Sequence, residues 1–377
     1  MDARAGQSAD DGGGDGARAW TPRRRVRATV RHEVPDRVPK MVNFYPTDFG
    51  PHPGMPPGAS PEGTFDTDIR FVSIRAPREQ GDFLDYLGSL PVDVHVGRES
   101  ILRTYHDWGY HPEIERDARL GDAGTLDEIA AAPLPDFMAQ VRPAELAAEV
   151  DVWHVRGYPV MASPPHLGGQ LFETAMRLRG FERFLVDLAT DPPLVDYLLD
   201  QLTAMHLAMC VALTRAGIDI LALDDDVAEP RGMLISPAMW RRSFGARWRA
   251  IIDACRRVNP ELMVFWHCDG NFEAIIPDLI DVGVDIVNPL QPDVMDVPRL
   301  AATYGDRLTF FGTVGTARLW AWGTPEAIRD EVRERITTVG RGGGLIIAPA
   351  YDLEPAGDIP WANVVAFFEA VQAFGGS

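Results

Sequence analysis

The chain of 377 residues has only three cysteines, Cys210, Cys255 and Cys268, and they are widely spaced. No disulfide framework and no CxxC pair can be assembled from them, which points to a reducing compartment. Basic residues are also scarce: 36 Lys and Arg stand against 55 Asp and Glu, a formal charge of −19. A field of that sign repels nucleic acid and anionic membrane surfaces, so the expected partner is a small molecule rather than DNA, RNA or a bilayer. No stretch approaches the roughly 18 consecutive apolar residues of a membrane span. The run LAMCVALTRAGIDILAL is interrupted by Thr214, Arg215 and Asp219. The N-terminus, MDARAGQSADDGGGDGARAW, lacks the apolar segment of a secretory signal, and a cytoplasmic location is the expectation. The phosphate-binding patterns GxGxxG and GxxxxGK[ST] are missing too, and the GGG at 342–344 precedes a strand rather than following one.

What is present is the composition of a globular protein with a large core, 46% hydrophobic and 24% charged. Residues 1–20 are rich in Gly, Ala and Asp and are expected to form a disordered tail. Residues 21–377 are read as one domain. Short apolar runs alternate with helical segments: YPVMAS (158–163), IDILALD (218–224), LMVFWH (262–267), VDIVNP (284–289), LTFFG (308–312) and GLIIAP (344–349). Two weaker runs lie upstream, VPKMVNF (38–44) and PVDVHV (91–96), and residues 51–63 read as a Pro- and Gly-rich loop. Helices are expected over Phe181–Ala189, Pro193–Arg215, Pro237–Val258 and Thr324–Val339. Ser236-Pro237 and Thr324-Pro325 offer a capping hydroxyl followed by Pro in the first turn. Strands that are apolar nearly throughout and are separated by helices imply a parallel sheet covered on both faces. Eight such units fit an α/β fold of the (β/α)8 TIM-barrel type.

In such a barrel the chemistry lies at the C-terminal ends of the strands. Those ends carry Asn43 and Tyr45, Ser163 and His166, Asp224 to Asp226, His267 to Asp269, Asn288 and Gln291, Thr313, and Tyr351 with Asp352. Three adjacent carboxylates repel one another, which raises the pKa of any that is partly buried and suits a general acid or base or a hard-metal ligand. The sequence does not decide whether Asp225 or Asp226 faces inward; capping a turn is the competing role. His267 and Asp269, two apart at a strand end, can point the same way and shuttle a proton or hold a divalent metal. The catalytic set is therefore Asp225, Asp226, His267, Asp269 and Tyr351. Asn43, Tyr45, His166, Arg231, Asn288 and Gln291 are the expected substrate contacts. Trp240, Trp320, Trp322 and Trp361 fall in or beside helices, where packing is the expectation.

Four segments carry a resemblance: LRGFERFLVDLATDPPLVDYLLD (178–200), DDDVAEPRGMLISPAMWRRSF, FWHCDGNFEAIIPDLIDVGVDIVNPLQP and GGGLIIAPAYDLEPAGDIPWANVVAFFEA. Together they resemble the uroporphyrinogen decarboxylase superfamily over about residues 25–375. The resemblance implies a (β/α)8 barrel with its site at the strand C-termini. The haem-pathway branch carries an MRQAGR-type segment whose arginines bind substrate carboxylates; here the corresponding strand reads VPKMVNFYPTDFG, and the charge of −19 also disfavours an octa-acid. The corrinoid- and thiol-dependent methyltransferase branch uses HxCG and a later Cys to bind zinc. Here Asp269 and Tyr351 stand where those cysteines are expected, so a thiolate zinc site is disfavoured, and a different divalent metal, zinc included, on His267 and Asp269, with Asp225 or Asp226 as a further ligand, remains an expectation. The resemblance implies decarboxylase-like lyase chemistry first, methyl transfer second and a catalytically silent binding barrel third. Related barrels often dimerise, so a homodimer is an open expectation.

Overall fold

The computed structural model describes residues 19–42, 61–74, 118, 120–132, 134, 136–166, 169–350 and 359–376. Seven strands form one curled, wholly parallel sheet in sequence order. They are β1 (Arg70–Ser73), β2 (Val160–Ser163), β3 (Ile220–Asp224), β4 (Met263–His267), β5 (Ile286–Asn288), β6 (Thr309–Phe311) and β7 (Leu345–Ile346). Pro39 to Met41 links the two edges of the sheet. Lys40 bridges Ile347 in parallel, and its carbonyl accepts the Asp68 amide at 2.9 Å. The architecture is an α/β fold consistent with a TIM-type barrel.

All six apolar runs between residues 158 and 349 contain strands. Of the two upstream runs, 91–96 lies outside the described residues, and the described part of 38–44, which ends at Val42, contributes the bridge at Lys40. Strand β1 was not anticipated, because Arg70 interrupts its apolar pattern. The guanidinium is accommodated by donating to the Thr67 and Ile69 carbonyls and lying 3.9 Å from the centroid of the Tyr158 ring. The expected loop at 51–63 ends earlier than anticipated, since a short helix starts at Pro61. Ser236 and Thr324 act as the predicted caps, accepting from the amides of Met239 and Ala327.

Side chains alternate across each strand, and the core is split accordingly. Met161, Ile220, Met263, Phe265, Ile286, Phe311 and Ile346 fill the inside of the sheet. Leu221, Leu223, Val264, Trp266, Val287 and Phe310 point to the helical layer. There Trp248 meets Trp266 edge-on at 4.8 Å, and Trp240 and Trp320 are fully buried. Trp322 departs from the packing expectation: it is 75% exposed. Helix Pro192–Arg215 is long and apolar enough to cross a bilayer by length and composition alone. Its Leu198, Leu202, Met209, Cys210 and Leu213 are nevertheless buried in the helix-facing core.

The N-terminal end of the sheet is occupied. Helix Pro22–Val30 inserts Val26 into the inner core. Arg23 and Arg27 donate to Asp219 Oδ1 at 2.8 and 2.9 Å, and Arg25 donates to Asp68 Oδ1 at 2.6 Å. Asp219 and Asp68 stand just before β3 and β1. The clamp leaves the C-terminal ends of the strands as the place for a site.

Candidate active site

The site begins with the alternation. Counting inward-facing residues along β3 from Ile220 and Ala222 leads to Asp224; along β4, Met263 and Phe265 lead to His267; along β5, Ile286 leads to Asn288. The register pairs Asp224 with His267 and His267 with Asn288. Three polar side chains therefore stand side by side on the inner face at the strand ends, where β-pairing fixes their spacing.

Asn288 orients the imidazole. Its Nδ2 donates to the Phe311 carbonyl at 3.3 Å, which turns Oδ1 toward His267 Nδ1 at 2.7 Å. Nδ1 is thereby the donor, and Nε2 faces the carboxylates: Asp226 Oδ1 at 3.8 Å and Asp269 Oδ1 at 4.0 Å. Burial disfavours the imidazolium, but Asp224, Asp226 and Asp269 together with the Asn288 contact outweigh it and push His267 up to about 10. Burial, opposed by His267 and reinforced by Asp226 and Glu173, holds the Asp224 carboxyl well above the usual range. Asp269 is raised too, chiefly by burial.

Two further contacts hold Asp269. Its amide donates to Asp226 Oδ1 at 2.6 Å, and its Oδ1 accepts from Gln291 Nε2 at 2.8 Å. Gln291 Oε1 in turn accepts the Gly270 amide at 3.0 Å. Gly270 has φ +80°, and a Cβ there would lie 2.7 Å from the Glu229 backbone. Only glycine lets the His267–Gly270 turn pass so close to the small hairpin of Ala228–Glu229 and Gly232–Met233.

Asp225 departs from its expected catalytic role. It is fully buried, and its two oxygens accept from the amides of Phe172 at 2.8 Å and Glu173 at 3.0 Å, capping helix Phe172–Arg179. Next to Asp224 in sequence, it points to the opposite side of the strand, as alternation requires. Arg231 also departs from expectation: it lies exposed in the hairpin turn and pairs with none of the described carboxylates. His166 does reach the site, with Nε2 3.9 Å from Asp224 Oδ2. The amides of Asn288 and Gln291, expected to meet substrate, are engaged by His267 and Asp269. Asn43, Tyr45 and Tyr351 lie outside the described residues.

Glu173 was not anticipated. It sits in the first turn of helix Phe172–Arg179, nearly buried, and its Oε2 accepts the Asp226 amide at 3.2 Å. Burial and the charge of Asp226 raise it to about 7, against the pull of Arg177 at 3.5 Å. Nothing in its local sequence distinguishes it from any helical glutamate; the fold brings it over 50 positions to the acidic triplet.

The uroporphyrinogen decarboxylase (URO-D) family model matches residues 167–374, more than half of the chain and all the site residues described here except His166. The chain belongs to the URO-D family. It is 25% identical to uroporphyrinogen decarboxylase of Coxiella burnetii (strain RSA 493 / Nine Mile phase I) over 188 residues, 50% of this chain and 49% of that protein. It is also 25% identical to the methylcobamide:CoM methyltransferase MtaA of Methanosarcina barkeri over 177 residues, 47% of this chain and 48% of that one. The chain thus spans about half the length of the curated relatives it matches. Among solved structures, a methyltransferase from Methanosarcina mazei superposes with a TM-score of 0.58 at 18% identity, covering 94% of this chain and 99% of that chain. At that identity the likeness speaks for the fold alone.

The soft-metal arrangement of the methyltransferase branch does not fit these residues. Position 269 is an aspartate, and Cys268 is buried in the helix-facing core with its Sγ 3.3 Å from the Asp269 carbonyl. Cys268 thus points into the helical layer, away from the mouth that His267 faces. The donors that do converge are nitrogen and oxygen: one ligand atom each from Asp224, Asp226 and His267 lies within 4.8 Å of the others.

Proposed function

We propose that this URO-D family chain is an enzyme that acts on a small molecule at the C-terminal mouth of the barrel by lyase-type chemistry. In its decarboxylase-like form, CO2 leaves the substrate and the carbon left behind takes up a proton. The observation that carries this reading is the in-register Asp224–His267–Asn288 row, with Nε2 turned toward the mouth by Asn288.

A charged imidazole at this point stabilises negative charge developing on the substrate, and its Nε2–H is placed to protonate the carbanion. The gaps of 3.8 and 4.0 Å from Nε2 to Asp226 and Asp269 exceed a hydrogen bond and leave room for a substrate atom. Glu173, raised to about 7 beside Asp226, is placed to hold the proton that restores His267. The acidic rim of Glu173, Asp224, Asp226 and Asp269 favours neutral or singly charged molecules over polyanions.

The test is a screen of small carboxylic acids for CO2 release, followed by His267→Gln on any substrate found. Loss of a positioned general acid lowers kcat by about 10²–10⁴-fold. Undiminished turnover in that variant overturns the reading. Methyl transfer is the second reading, supported by the likeness to MtaA and by His267 at the first position of the methyltransferase motif. Transfer of a methyl group from methylcobalamin to a thiol, without CO2 release, would decide for it.

A further inference from the structure

Asp224, Asp226 and His267 present one donor atom each, all within 4.8 Å of one another. Three donors bound to one ion at about 2.0–2.2 Å lie about 3.0–3.8 Å from one another, so the group closes on an ion with shifts of up to roughly 1–2 Å. Two independent features point to a ligand there. Asp224 Oδ1 is sealed from solvent and has no hydrogen-bond partner among the described residues. The His267 imidazole has the arrangement of a metal ligand, one ring nitrogen donating to an amide carbonyl and the other turned to the carboxylates. Asn288 is itself anchored on the Phe311 carbonyl, so the ring is fixed before any ion arrives.

We propose that Asp224, Asp226 and His267 form a binding site for one divalent cation of the manganese or zinc class, with Asn288 as the positioning residue. Two carboxylates and one imidazole suit such an ion, whereas a site that activates thiols needs the soft sulfur ligands missing here. The ion would replace the Nε2 proton, so in the loaded protein the positive charge in the mouth would sit on the metal and the proton for the substrate carbon would be left to Glu173, beside Asp226. The proposal deepens the lyase reading, since it concerns the same mouth, but ion binding is measured without turnover.

The experiment is calorimetric titration of MnCl2 and ZnCl2 into the full chain stripped with chelator, with the free Mn2+ paramagnetic resonance signal as a second readout. One equivalent is expected to bind. Asp224→Asn and His267→Gln are each expected to weaken binding at least about 100-fold, and Asn288→Ala about 10–100-fold, the range for residues that orient a ligand. Thermal melting of each variant without metal confirms that it folds, and Asp225→Asn, one residue along the chain, is expected to bind as the parent does. Absence of binding in the parent chain overturns the site. So does binding unchanged by Asp224→Asn and His267→Gln, which places the ion elsewhere on the acidic surface. A protein that binds no ion yet releases CO2 in a His267-dependent way overturns the metal site and keeps the lyase reading. Binding as predicted with no CO2 released from any acid does the reverse.

Discussion

Asp224 and Asp225 are neighbours in sequence, yet the structure assigns them opposite consequences when mutated. Replacing Asp225 with Ala removes the only acceptors among the described residues for the buried amides of Phe172 and Glu173, at 2.8 and 3.0 Å. A buried donor left without a partner costs about 1–3 kcal/mol, so the pair amounts to about 2–6 kcal/mol. For a chain of 377 residues, about 1.3 °C of melting temperature goes with each kcal/mol, which predicts a fall of roughly 3–8 °C. Asp224→Asn is nearly isosteric and breaks no hydrogen bond made by its side chain among the described residues, so its melting temperature should stay within about 2 °C of the parent while metal binding is lost. Calorimetric melting of both variants, each in chelator and in excess Mn2+, makes the comparison. The reasoning fails if Asp225→Ala melts with the parent, or if Asp225→Ala, still folded, loses the ion while Asp224→Asn keeps it.

Three other outcomes are expected. Gly169→Ala should lower both melting temperature and ion affinity, because a Cβ there would lie 2.7 Å from Asp225 Cα and 2.8 Å from the Asp224 carbonyl oxygen, displacing the loop against both residues; normal values for both would show that the loop yields freely. His267 is raised above its unfolded value, so its contribution to stability is full below about pH 6.5 and is lost as pH rises through about 10. In chelator, the denaturant midpoint of the parent should fall over that range and that of His267→Gln should fall less; parallel curves would refute the assigned protonation. Asp68→Ala should cost about 1–3 kcal/mol in denaturant unfolding, since Asp68 accepts from Arg25, Arg37 and the Lys40 amide, while Arg25 keeps its two-bond pair with Asp36. An unchanged midpoint would show that the N-terminal helix does not clamp the barrel.

Much of this was legible in the chain itself. Apolar runs such as LMVFW and LTFF, each after a helix closed by Gly or Asn, identify buried parallel strands because a strand covered on both faces has few polar positions. Capping by Ser236 and Thr324 is equally local, being settled by the hydroxyl, the following Pro and the amide three residues on. The HCDG and DDD segments mark where the chemistry gathers, and His267, Asp226 and Asp269 do converge. The same periodicity that identifies β3 also selects Asp224 as the inward carboxylate, once Ile220 and Ala222 are known to line the inside. That last fact is not local: it depends on which face of the strand meets the helices, and on the pairing of β3 with β4. The capping role of Asp225 and the arrival of Glu173 depend on a helix from another βα unit, and the amides of Asn288 and Gln291 take up their roles only when β5 lies beside β4. Hydrophobic period and turn chemistry are written residue by residue and so belong to the sequence. Which polar atoms face one another across strands is decided by register and packing, which exist only when the sheet is assembled.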